Sequence, residues 1–304
     1  MQDIIIIENL IKSYGTVKAV NDLSFTVKEG QLFAFLGVNG AGKSTTISVM
    51  CKALENDSGK VIINGLDIDN SNEEFKSSLG VVFQQSVLDK ALSVYDNLKS
   101  RAVLYGINGK ELEERITTLA EKLEFADILG RTVGKLSGGQ RRKIDVARAL
   151  IHNPKILVLD EPTTGLDPKT RTMLWGVIKD LIKNENMTVF LTTHYMEEAS
   201  DADFVVIIDG GKICAQGTPH QLKNAYSGDF ITLYGVDESC VKALNLPYER
   251  VSGAYRFEVK DTKTATQLIL ENPQLFNDYE ITKGKMDDVF LAVTGKKLAG
   301  GENK

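Results

Sequence analysis

Residues 37–45 read GVNGAGKST, set between the apolar run QLFAFL at 31–36 and the helically spaced STTISVMCKAL that starts at Ser44. Strand, glycine-rich turn and helix in this order fit G-x-x-x-x-G-K-[ST], whose backbone N–H groups wrap a polyphosphate at a helix N-terminus. Gly37, Gly40 and Gly42 are expected to permit close approach, because a Cβ there would strike phosphate or force a strained φ. Val38, Asn39 and Ala41 complete the loop. Lys43 brings a point charge to the β/γ oxygens, Ser44 a hydroxyl for Mg²⁺, and Thr45 follows at the start of the helix. Nucleotide binding on an α/β framework is the first expectation.

Outward from this loop, the first ~220 residues alternate strand-like and helix-like segments. IIII at 4–7, LSFTV at 23–27 and KVIING at 60–65 read as strands of a partly antiparallel sheet. QLFAFL, LGVVF at 79–83, KILVLD at 155–160 and TVFLTT at 188–193 are continuous apolar runs, as parallel strands covered on both faces require. Between 94 and 150 only helical spacing occurs, which predicts a helical insertion at about 86–150. FVVIIDGGKICAQG at 204–217 reads as a hairpin turning at Asp209-Gly210-Gly211. A second unit over 221–304 runs strand, helix, strand, strand, helix, strand, helix. Its first six elements match the split βαβ order of a ferredoxin-like α+β fold. The terminal GGENK reads as a frayed end.

Composition fits a globular chain with a full core: 304 residues, 42% hydrophobic and 25% charged. No uninterrupted apolar run reaches the ~18 residues that a bilayer span needs, and no apolar leader follows basic residues at the start. The chain is therefore expected neither to be secreted nor to cross a membrane by itself. Cys51, Cys214 and Cys240 lie far apart, which suggests reduced thiols and argues against zinc. A net charge of −5 argues against a dedicated nucleic-acid partner.

Chemistry gathers where the buried strands end. LVLDEP at 157–162 puts Asp160 and Glu161 at the carboxyl end of a strand, the edge on which open α/β sheets bind ligands. Asp160 suits Mg²⁺, while Glu161, one step on and pointing elsewhere, suits proton acceptance from an attacking water. His194 closes TVFLTTH on the same edge and is a candidate γ-phosphate contact. LSGGQ at 136–140 offers the Ser137 hydroxyl and the N–H groups of Gly138 and Gly139 in front of a helix from Gln140. That makes a second phosphate-facing helix N-terminus, and one nucleotide needs only one.

GVNGAGKST, the glutamine of VVFQQ, LSGGQ, ILVLD followed by Glu161, and His194 occur in the order that defines ABC ATPase cassettes, and the chain resembles the nucleotide-binding subunit of an ABC transporter over about 1–220. The resemblance implies a P-loop NTPase cassette with an antiparallel β subdomain, the helical insertion and the C-terminal domain. It implies that Tyr14 stacks on adenine, and that ATP with Mg²⁺ is hydrolysed with Glu161, His194 and Gln84 as the catalytic set. Ser44, Gln84 and Asp160 would meet the metal. Gln84 is aligned by the preceding VVF, with Gln85 as the alternative. Two chains, or this chain and a homologous cassette, would pair head to tail so that Ser137, Gly138, Gly139 and Gln140 of each cover the nucleotide of the other, with Asp167 touching the opposing subunit. The alternative role for LSGGQ is a simple helix cap.

The family further implies a separately encoded transmembrane permease and a peripheral position on the cytoplasmic face of the membrane. The permease's coupling helix would meet the insertion around 86–105. The closing MDDVFLAVTGKKL resembles the ending of ABC-2-type exporter ATPases that serve drugs, antibiotics, lipids or glycans. An importer ATPase and a soluble ABC ATPase of translation or repair are the rival classes. The soluble kinds would carry two cassettes or a long heptad coiled coil, neither of which is present in the sequence.

Overall fold

The computed structural model describes residues 2–71 and 74–296, so GGENK at 300–304, together with Lys297 and Leu298, lies outside the described residues. Strands β1 (Asp3–Tyr14) and β2 (Val17–Lys28) form an antiparallel hairpin. Both outrun the apolar segments seen in sequence, because bulges interrupt their alternation. Asn9 and Asp22 take φ of 49° and 64° there, and Asn9 Nδ2 donates to Asp22 Oδ1 at 3.0 Å.

In chain order follow β3 (Leu32–Leu36), α1 (Lys43–Met50), β4 (Ser58–Ile63), β5 (Leu66–Asp67) and β6 (Leu79–Val82). Helices α2 (Val94–Val103), α3 (Gly109–Lys122) and α4 (Gly138–Leu150) make the insertion. The chain then returns through β7 (Ile156–Asp160), α5 (Pro168–Glu185), β8 (Thr188–Thr193), α6 (Met196–Ser200), β9 (Phe204–Asp209), β10 (Lys212–Gly217) and α7 (Pro219–Tyr226). One sheet runs β2-β1-β4-β5 and is antiparallel; the other runs β10-β9-β3-β8-β7-β6 and is parallel except for the β9–β10 hairpin.

The parallel strands are apolar throughout because each face has its own cover. Leu32, Ala34 and Leu36 pack into the core beneath α2–α5, whereas Phe33 and Phe35 pack with Phe25 and Phe190 beneath the antiparallel sheet and α1. The glycine-rich loop at 37–45 leaves β3 at the centre of this sheet, between β8 and β9.

The C-terminal unit comprises β11 (Asp229–Leu233), α8 (Glu238–Lys242), β12 (Tyr248–Val251), β13 (Ala254–Val259), α9 (Thr262–Glu271) and β14 (Tyr279–Lys283). Its strands order β12-β13-β11-β14 with every neighbour antiparallel, the ferredoxin-like arrangement. The last helix, α10 (Met286–Thr294), departs from the sequence division at 220/221. It packs on α7, α6 and β10, and Met286, Val289 and Phe290 are buried in the core of the first unit. Those residues and Val293 fall at i, i+3, i+4 and i+7, a stripe whose partner no local pattern identifies. Among the described residues no helix is long and apolar enough to cross a membrane.

Candidate active site

The loop after β3 is pinned from both sides. Gly37 N–H donates to Thr193 O at 3.3 Å, and Gly211 N–H donates to Ala41 O at 3.0 Å. Two of its glycines are demanded by the protein itself. A Cβ at Gly37 would lie 2.7 Å from Ile208 O, and one at Gly42 would lie 2.4 Å from Ala19 O. Gly42 also caps α1 at φ 109° and Gly40 holds φ 81°, conformations that L side chains avoid. Collision with phosphate is therefore not the first cost of side chains at 37 and 42. Val38 is half-buried and Ala41 buried; Asn39 and Ser44 are exposed and Thr45 half-buried.

Lys43 is buried at the start of α1, and its Nζ donates to Gly37 O at 2.7 Å and Val38 O at 3.2 Å. It lies 3.3 Å from Glu161 Oε1. Burial lowers the ammonium's pKa, opposed by the charges of Glu161 and Asp160.

Glu161 is the centre on which the other groups converge. Its φ is 46°, a strained value for a residue with a side chain, and its carboxylate is buried. Gln84 Nε2 donates to Oε2 at 3.1 Å and Thr164 Oγ1 does so at 3.4 Å. His194 Nδ1 stands 3.3 Å from the same oxygen but is not aligned for a hydrogen bond. Of the two adjacent glutamines, Gln84 is the one that bonds to Glu161. Asp160 ends β7 in a buried position, with Oδ1 accepting from Thr192 Oγ1 at 2.5 Å.

Away from this cluster, Ser137 caps α4. Its hydroxyl accepts from Gln140 N–H at 3.2 Å, and Gln140 Oε1 accepts from Ser137 N–H at 3.0 Å, a capping box. Gly139 lies against the start of α5, where its Cβ would meet Thr170 Oγ1 at 2.9 Å; a Cβ at Gly138 would meet nothing within 4 Å. Asp167 caps α5 by accepting from Thr170 N–H at 3.0 Å and Thr170 Oγ1 at 2.6 Å, and those bonds hold its carboxyl below the usual range. Tyr14 is 54% exposed at the end of β1.

Sequence reasoning missed three supports. Thr192 accepts at Oγ1 and at its carbonyl from Glu161 N–H, each at 3.1 Å. Buried Glu198 accepts from Thr163 Oγ1 and, at 2.6 Å, from Thr193 Oγ1. Arg142 holds four carbonyls behind the site. Arg142 sits in RRK at 141–143, which looks like a solvated charge run. Its spacing with Asp145, Val146 and Ala149 was the available sign that it faces inward.

A family profile described as ABC transporter matches residues 20–164. Over 296 residues the chain is 34% identical to a Nod factor export ATP-binding protein I of Burkholderia orbicola, covering 95% of this chain and 96% of that protein. A daunorubicin resistance ATP-binding protein of Streptomyces coeruleorubidus is 32% identical over 98% of this chain and 97% of its own length. A linearmycin resistance ATP-binding protein of Bacillus subtilis is 34% identical over 96% of this chain and 98% of its own. Among solved structures, a bacterial ABC transporter cassette in dimeric form matches with a TM-score of 0.66 at 26% identity, covering 70% of this chain and 98% of that one.

Proposed function

The chain belongs to the ATP-binding subunits of ABC transporters, and from that membership we propose that it powers an ABC-2-type exporter whose membrane-spanning part is a separate polypeptide. Hydrolysis of ATP is the activity of this family. The export direction is supported by relatives named for drug resistance and Nod factor export, which align through the C-terminal unit as well as the cassette.

The observation that carries the reading is the convergence of Lys43, Gln84 and His194 on the buried carboxylate of Glu161 beside the glycine loop. ATP lies with its phosphates over residues 37–45 and its adenine against the exposed ring of Tyr14. Lys43 balances charge on the β/γ oxygens. Glu161 accepts a proton from the water that attacks the γ-phosphorus, the bond to the ADP oxygen breaks, and ADP and phosphate result. His194 contacts the γ-phosphate.

The donor set fits Mg²⁺, a hard cation that takes oxygen ligands. Gln84 uses its Nε2 on Glu161 and so keeps its carbonyl oxygen for a ligand, Asp160 keeps Oδ2, and Ser44 supplies an exposed hydroxyl. When bound, Mg²⁺ would neutralise the phosphate charge that builds up during bond breaking.

Two chains pair head to tail, with the LSGGQ segment of one over the nucleotide of the other and Asp167 at the contact. Gly138 supports this pairing. It is exposed at the N-terminus of α4, where glycine weakens a helix and this chain's own packing leaves room for a side chain. The capping box accounts for Ser137 and Gln140 but not for Gly138.

The assembly sits at the cytoplasmic face of the membrane, where the permease meets the surface around 86–105. The test is isolation of the full-length protein from solubilised membranes. A co-purifying permease that stimulates its ATP hydrolysis is expected. Recovery with ribosomes or DNA-repair proteins alone would overturn the transport assignment.

A further inference from the structure

The guanidinium of Arg142 is buried, one turn into α4, and it donates to carbonyls on both strand ends that carry the site. Nη1 donates to Phe83 O at 2.6 Å, immediately before Gln84. Nη2 donates to Asp160 O at 3.0 Å and Glu161 O at 3.1 Å, and Nε donates to Pro162 O at 2.8 Å. Only a planar fork with donors on three nitrogens reaches all four acceptors at once.

The consequence for Glu161 is specific. Its peptide N–H is held by Thr192 and its carbonyl by Arg142, so the left-handed backbone that aims the carboxylate is clamped at both ends. Arg142 also rides on the helix whose first turn is Ser137–Gly139, and one turn further Asp145 accepts from Ser86 Oγ at 3.0 Å, within the segment that follows Gln84. A shift of α4 is therefore passed to the backbone of Glu161 and of Gln84 together.

We propose that Arg142 is a positioning residue that couples the LSGGQ helix to the general base and the glutamine of its own chain. Given the head-to-tail pairing proposed above, on which this inference rests, Arg142 links the two nucleotide sites. The LSGGQ segment touches the partner's ATP, and Arg142 transmits that contact to the chain's own Glu161. The link runs through one side chain and four carbonyl oxygens.

The test uses Arg142→Lys, which keeps the charge and loses the fork. In the full-length protein its kcat should fall about 10- to 100-fold, the cost of a slightly misplaced catalytic group, while ATP affinity stays within about threefold. Cooperativity in ATP should be lost, which a purely structural defect measured at equal folded fraction would not produce. Unchanged kcat and cooperativity would overturn the proposal.

Should Arg142→Lys fold poorly, Arg142→Gln and a mixed dimer keep the test decisive. In a dimer of one parent chain and one Lys43→Ala chain, a single composite site turns over, and the Arg142 substitution is placed in either chain in turn. Loss of rate from both placements supports coupling; loss only in the chain whose Glu161 acts reduces Arg142 to a local brace. If ATP brings no dimer of the parent chain together in light scattering, the pairing itself fails, and that result is distinct from failure of the coupling.

Discussion

Lys43 Nζ and Glu161 Oε1 stand 3.3 Å apart as an ion pair buried on both sides. The ammonium proposed to meet phosphate and the carboxylate proposed to take a proton from water thus share one enclosed space, where charges interact more strongly than in solvent. Glu161→Gln keeps the shape and the bond from Gln84 but cannot take the proton. ATP should still bind while hydrolysis falls about 10²–10⁴-fold, and ATP-loaded dimers should accumulate. Phosphate release and light scattering measure both; turnover within a few-fold of the parent would remove Glu161 from its role.

His152 gives a pH-dependent prediction away from the site. Its ring stacks on Tyr105 at 4.0 Å and 8°, and Nε2 makes a hydrogen bond with Leu79 O at 3.0 Å. Burial, with Arg101, Arg115 and Arg148 nearby, pushes the imidazole down from 6.5 to about 4. The unfolded chain therefore takes up a proton that the folded chain refuses. This contribution is at its most favourable above about pH 6.5 and falls as pH drops towards 4, by less than about 3 kcal/mol because solvent screens the partly exposed ring. His152→Phe retains a ring against Tyr105 and should flatten that part of the slope in urea midpoints followed across the range. An identical slope in parent and variant would show that His152 titrates normally.

Phe290 ties α10 to the first unit. It is 1% exposed and sits in the core beside Met286 and Val289. Phe290→Ala should cost about 3–5 kcal/mol, as removal of a buried aromatic ring does. The loss should appear in urea unfolding of the cassette, followed by nucleotide binding. A variant whose cassette unfolds at the parent's midpoint would mean that α10 is a dispensable extension.

The nucleotide loop, the strand ends at Asp160 and Glu161, and the His194 strand were legible because each is a local pattern that carries its own chemistry. The buried parallel strands were legible for a similar reason, since cover on both faces leaves an uninterrupted apolar run. What escaped depends on contacts between distant segments. Arg142 is bonded to carbonyls, which every residue possesses, so no partner residue type marks them. Gln84 differs from Gln85 only in which one reaches Glu161. The bulges at Asn9 and Asp22 hid half of the first hairpin by breaking its alternation.

Gly138 and Gly139 are neighbours with opposite environments, and that contrast sharpens the test of a shared site. Gly139 is closed in by Thr170 of its own chain, whereas Gly138 has open space around it. Gly138→Asp should therefore leave the monomer folded and able to bind ATP, yet block pairing, because its carboxylate would face the partner's γ-phosphate as water is excluded. Lys43→Ala should bind ATP poorly for lack of the charge at the β/γ oxygens. Each variant alone should be inactive. Mixed, they should form dimers in which one composite site carries both defects and the other carries neither. Recovery of up to about half of the parent's rate per mixed dimer is expected if the two sites turn over independently, and less if they are coupled. A Gly138→Asp chain that dimerises and hydrolyses normally by itself would reduce LSGGQ to a helix cap and end the head-to-tail assignment.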